Sequence, residues 1–147
     1  RRIMTKQETE TNMNRLVQYL TDKGVKVEFN SIGDNAYFPI PNIIAVNTRQ
    51  NIYSRYYSLL HETGHYLLRQ KADFSTKYLV DHSFGSKNKD TRIDVLREEV
   101  AAWDTALQFA EDNQYQFDKD KWNHYSKKFI YQYALWTVNP QRFDNDD

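Results

Sequence analysis

Apolar residues recur at helical spacing in four stretches of the chain. Between Glu8 and Lys23, the residues Met13, Leu16, Val17 and Leu20 share one face, and Gly24 stands where a helix stop is expected. Ser54 to Arg69, Arg92 to Asp112 and Asp118 to Trp136 repeat the helical period. The segment between the first two helices changes rhythm. Val25 to Asn30 alternates as VKVEFN, Asn35 to Ile40 carries a short aromatic run, and Ile43 to Asn47 reads IIAVN, with turn signals at Gly33-Asp34 and from Pro39 to Pro41. The pattern predicts an α+β domain of about four helices packed on a small sheet of about three short strands. Gln70 to Thr91 is polar, carries Gly85, Ser86 and several lysines, and is long for a passive connection; it reads as a lid, a binding loop or a mobile link. Residues 1–7 and 140–147 read as flexible ends of one domain spanning 1–147.

Composition narrows the possible chemistry. The 147 residues, 15% of them aromatic, suffice to bury a sizeable core. Twenty basic and twenty acidic residues cancel, so no global field favours nucleic acid or an anionic membrane. The absence of cysteine removes disulfides, thiolate ligands and cysteine nucleophiles, and is compatible with a reducing cytoplasm. No apolar run approaches the roughly 20 residues that cross a bilayer, and the start lacks a signal-peptide hydrophobic region. A soluble, cytoplasmic protein is expected, with any metal ligands drawn from histidine and carboxylate.

The second helix carries the chemistry. Its centre, His61-Glu62-Thr63-Gly64-His65, is an HExxH arrangement. With 3.6 residues per turn, histidines four apart project within roughly 40° of each other, so both imidazoles reach one ion. Glu62 is turned about 100° from His61, near enough to act on a metal-bound water as general base. Tyr56, Leu59, Leu60 and Leu67 occupy the opposite face, so the motif runs along the border of a buried stripe, where it can line a cleft. Gly64 inside a helix costs about 1 kcal/mol relative to alanine and marks the close approach of another group. The alternative is coincidence on an amphipathic helix.

A third ligand is required. The position six residues past His65, where an HExxHxxGxxH pattern would place histidine, is Lys71. His82, from a loop or following helix, remains a candidate, as do Glu98 and Glu99. Leu96, Val100, Trp103, Leu107 and Ala110 trace an apolar stripe on which Glu99 falls, whereas Glu98 lies on a neighbouring face that can stay solvated. A buried carboxylate needs a cation, either a metal or an arginine. Ala101, Ala102 and Ala106 allow this helix to pack closely on the motif helix.

The strand Ile43 to Asn47, the helix reading SLLHETGHYLL and the later segment Glu99-Val100-Ala101-Ala102-Trp103 leading to Ala106 together resemble the ImmA/IrrE family of small bacterial and phage zinc metallopeptidases. The resemblance runs in order over about 27–110. It implies a minimal, gluzincin-like zincin domain, with His61, His65 and Glu99 as zinc ligands and Glu62 as catalytic base. It also implies a protein substrate, of the regulator or repressor kind cleaved in phage, mobile-element or stress control. The chain departs from the family pattern at Thr63, where a bulkier residue is frequent, and at Trp103, where asparagine is frequent.

The expected reaction is hydrolysis of a peptide bond. The substrate backbone would pair with Ile43 to Asn47 as an edge strand, at Ile44, Ala45 and Val46. His82, His124 or Tyr125 would donate to the developing oxyanion. His124 otherwise reads as a surface residue, and Trp103, Trp122 and Trp136 as packing groups. Two other classes compete: a noncatalytic zincin-fold protein that binds a host or regulatory protein, and a SprT-like, nucleic-acid-associated protease with His82 as third ligand, against which the zero net charge weighs.

Overall fold

Thr5 and Glu8 form a reciprocal capping box, each side chain bonded to the other's backbone N–H at 3.0 Å, and start helix α1 (Lys6–Asp22). The helix ends in a Schellman turn: Gly24 adopts φ +83°, its N–H reaches Thr21 O, and Val25 N–H reaches Leu20 O at 2.9 Å. The computed structural model describes residues 3–78 and 88–141. After α1 come strands β1 (Lys26–Asn30), β2 (Ala36–Phe38) and β3 (Ile43–Asn47), then helices α2 (Ile52–Arg69), α3 (Phe74–Lys77), α4 (Lys89–Asp112) and α5 (Lys119–Val138). The fold is α+β, as expected, with one further short helix, α3, inside the polar stretch after α2. The rest of that stretch, where a lid was expected, lies outside the described residues from 79 to 87. Ahead of α1, Met4 is buried and Thr5 serves as the helix cap.

The sheet order is β1-β3-β2, with β3 parallel to β1 and antiparallel to β2. This corrects the expectation that β3 is an edge. Ala45 is paired on both sides, with Glu28 of β1 and Ala36 of β2, while Ile44 and Val46 are fully buried. The most apolar strand occupies the centre, where it loses most contact with water. The free edge adjoining the helices' cleft belongs to β2.

One hydrophobic cluster joins Leu16 and Leu20 of α1, Val25, Ile44 and Val46 of the sheet, Tyr56, Leu59 and Leu60 of α2, and Trp103, Ala106 and Ala110 of α4. Beside it α2 and α4 pack in close contact at Gly64. A β-carbon there would collide with the Ala102 carbonyl oxygen and come within 2.9 Å of the Ala106 methyl. The glycine is thus a packing requirement, and it sets the distance between the two helices that carry the chemistry. No helix among the described residues is long and apolar enough to cross a membrane.

Candidate metal centre

α2 is anchored before the motif begins. The Asn51 side chain accepts the Ser54 N–H at 2.9 Å, and the Arg55 guanidinium donates to the carbonyls of Gln50 and Thr48 at 2.9 and 2.6 Å. These contacts tie the helix start to the chain leaving β3, so the helix presents its border residues to one side of the sheet in a fixed register. Thr63 is wholly buried and returns its hydroxyl to Leu59 O at 2.7 Å. Close packing at Gly64 brings α4 alongside, and Glu98 and Glu99 meet the two histidines.

The side chains converge. Glu99 Oε1 lies 2.7 Å from His61 Nε2 and its Oε2 lies 3.1 Å from His65 Nε2. One ligand atom from each of His61, His65 and Glu99 falls within 4.8 Å of the others. Glu62 Oε2 is 3.2 Å from His61 Nδ1. Glu98 Oε2 accepts from His65 Nδ1 at 2.8 Å, and its Oε1 accepts from Arg69 Nη2 at 2.9 Å. The His61 ring lies flat against Trp103, 3.9 Å between centroids and 8° between planes. Trp103 thus acts as a wall behind the first histidine.

All four groups, His61, Glu62, Glu98 and Glu99, are buried. Burial works against an imidazolium, yet the surrounding carboxylates outweigh it: Glu62 and Glu99 raise the pKa of His61, and Glu98 and Glu99 lift His65 to about 10. Burial likewise opposes ionisation of the acids, but His61 and His65 press Glu99 down to about 2, and His65 with Arg69 lowers Glu98. Without a cation the cluster is therefore held by imidazolium–carboxylate pairing. His61 Nε2 is sealed from solvent, with Glu99 Oε1 beside it at 2.7 Å. Two imidazole nitrogens and a carboxylate oxygen that lie this close together form a donor set that could hold a metal ion. Glu98 holds His65 Nδ1–H, which leaves Nε2 to face Glu99 and the convergence point.

The cluster forms the floor of a cleft of about 890 Å³. One wall is β2 with its flanking residues, from Asp34 to Pro39; the other is the face of α5 that carries Phe129, Gln132, Tyr133 and Trp136. Several expectations are corrected here. Glu98 is buried and bonded rather than solvated, because the buried face of α4 runs through Glu99, Ala102, Trp103 and Ala106 while Val100 is 37% exposed. Tyr125 does not line the cleft; its hydroxyl shares a 2.6 Å hydrogen bond with Ser54 Oγ. His124 is exposed on α5, also outside the cleft lining. His82 lies outside the described residues. Ile44, Ala45 and Val46 belong to the central strand and offer no free edge.

Sequence reasoning missed Arg69, Tyr133 and the role of β2. Arg69 sits one turn beyond His65 on α2, a spacing that could have flagged it as a partner for an acid facing the motif. Tyr133 follows Phe129 and precedes Trp136 at i, i+4 and i+7, which reads as ordinary packing until a cleft is seen beneath it. No protein-family model, curated protein or solved structure matches the chain.

Proposed function

We propose that this protein is a zinc-dependent metallopeptidase, cytoplasmic in location, which hydrolyses a peptide bond in a protein substrate. The observation that supports this most directly is the convergence of His61, His65 and Glu99 on one point, with Glu62 lining the same cleft and touching the His61 ring. Zinc held there would supply Lewis-acid polarisation of the carbonyl and activation of water. The protein's own groups do the rest. Glu62 takes the proton from the attacking water and returns it to the amine nitrogen as the C–N bond breaks. Glu99 and the two imidazoles would hold the cation, and Glu98 with Arg69 keeps the His65 ring in the tautomer that ligation by Nε2 needs.

The substrate enters along β2. That strand is bonded on one side only, so an extended peptide can pair with Ala36–Phe38 and run across the cleft above the metal ligands. Phe38, 49% exposed, faces the cleft from the strand side, and Phe129 and Trp136 face it from α5. These surfaces suit a bulky apolar side chain next to the scissile bond. The resemblance to ImmA/IrrE peptidases points to a regulator or repressor of a phage or mobile element as the natural substrate.

The test uses zinc-loaded protein on unfolded casein, with fragments read by mass spectrometry. Wild type is expected to cleave and Glu62→Gln to keep its zinc and lose hydrolysis by at least about a hundredfold, the scale of positioned acid–base catalysis. Equal cleavage by the two would contradict the assignment of Glu62. Retention of zinc with no cleavage of any protein by either would favour a binding role for the cleft.

A further inference from the structure

Peptide hydrolysis requires a hydrogen-bond donor where the carbonyl oxygen becomes an oxyanion. The cleft lining holds few free ones. Asn35 Nδ2 donates to Ser58 Oγ, which itself bonds Gln50, and the Arg69 guanidinium is engaged by Glu98 while lying over the Phe74 ring. Trp103 Nε1 is sealed from solvent, and Gln132 is exposed, so a bond to it would form in water. Tyr133 is different. Its ring is partly buried in the α5 wall, and its hydroxyl has no hydrogen-bond partner among the described residues. Tyr133 lines the same cavity as Glu62, Glu98 and Glu99 on the floor and Asp34 to Pro39 on the β2 side. The phenol therefore shares one cleft with the ligand cluster and with the strand along which a peptide would lie. Burial first, and then those carboxylates, hold its pKa above the ordinary phenol value, so the hydroxyl keeps its proton and acts as a donor.

From this geometry we infer that Tyr133 is a catalytic residue, its hydroxyl donating a hydrogen bond to the oxyanion of the tetrahedral intermediate formed in the cleft. The inference rests on the metallopeptidase reading above. As water oxygen bonds to the carbonyl carbon, the C=O π pair moves onto oxygen and the water proton passes to Glu62. Tyr133 stabilises that oxygen without transferring its own proton. On collapse the carbonyl reforms, the C–N bond breaks and Glu62 protonates the departing amine.

The test compares zinc-loaded wild type with Tyr133→Phe, using two synthetic probes in calorimetric titrations and elemental analysis for zinc. An N-phosphoryl dipeptide presents a tetrahedral anion, whereas a thiol dipeptide ligates zinc through sulfur and presents none. The variant is expected to keep its zinc and its thiol affinity, and to bind the phosphoryl dipeptide about tenfold to a hundredfold more weakly, the worth of one hydrogen bond to a charged group. Casein turnover should show kcat reduced by about a hundredfold with KM little changed. Equal phosphoryl-dipeptide affinity with zinc retained would overturn the role of Tyr133 and leave the peptidase reading standing. A wild-type protein that takes up no zinc would overturn both.

Discussion

His65 Nδ1–H is fixed by Glu98 at 2.8 Å, and Glu98 is itself held by Arg69 at 2.9 Å, so in the proposed zinc site the ligating nitrogen would depend on two residues outside the ligand set. Glu98→Ala is expected to weaken zinc affinity about tenfold to a hundredfold, with Glu98→Gln recovering part of the loss, because the amide oxygen still accepts from Nδ1–H. Competition titrations against a zinc-binding dye measure this, and unchanged affinity in Glu98→Ala would contradict the positioning role. Protons compete for the same atoms. With His65 raised to about 10, the ligands hold protons that zinc must displace, so zinc affinity should climb as pH rises through neutrality. The metal-free protein follows the opposite logic on the alkaline side. The raised pKa of His65 contributes stability in full below its ordinary value of 6.5, and that contribution is lost as pH rises toward about 10. The lowered pKa of Glu99 contributes in full above 4.5 and is lost as pH falls toward about 2. Chemical denaturation of metal-free protein across pH should therefore place its greatest stability between about 4.5 and 6.5.

Between elements, the α2–α4 contact fixes the centre. Gly64→Ala places a methyl against the Ala102 carbonyl and should destabilise the fold by about 1–3 kcal/mol, with weaker zinc binding as the helices part. Thermal unfolding and zinc titration of the same variant measure both effects. On the other side of the cleft, Phe38→Ala removes a half-exposed side chain and should change stability by only about 0.5 kcal/mol while raising KM for peptide substrates. How far the sequence revealed these elements depends on whether the signal was local. The motif helix was legible because ligand spacing and apolar stripe coincide within Ile52–Arg69, and Gly64 was legible as a contact point. The face of α4 was not, because its buried side is built from Ala102 and Ala106, whose small side chains weigh little in a hydrophobic pattern beside the half-exposed Val100. Sheet order was hidden for another reason: parallel pairing of β1 with β3 spans the intervening β2, and nothing in either strand's local sequence records it.

Across the whole molecule, helices from both ends of the described chain serve one cleft. α1 and the sheet support α2 from beneath, α4 adds the carboxylates, and α5 closes the far wall with Phe129, Tyr133 and Trp136. Ion pairing among His61, His65, Glu98, Glu99 and Arg69 holds this centre together without a metal. Removing zinc with a chelator is therefore expected to abolish hydrolysis while leaving far-ultraviolet circular dichroism nearly unchanged, unlike small domains whose folding depends on the ion. The assignment of the metal centre is tested most directly by elemental analysis of purified wild type beside Glu99→Ala. One zinc per chain in wild type, lost in Glu99→Ala with the fold intact, is the predicted result. Wild type that neither carries zinc nor takes it up, or a Glu99→Ala variant that binds it as tightly as wild type, would contradict the account.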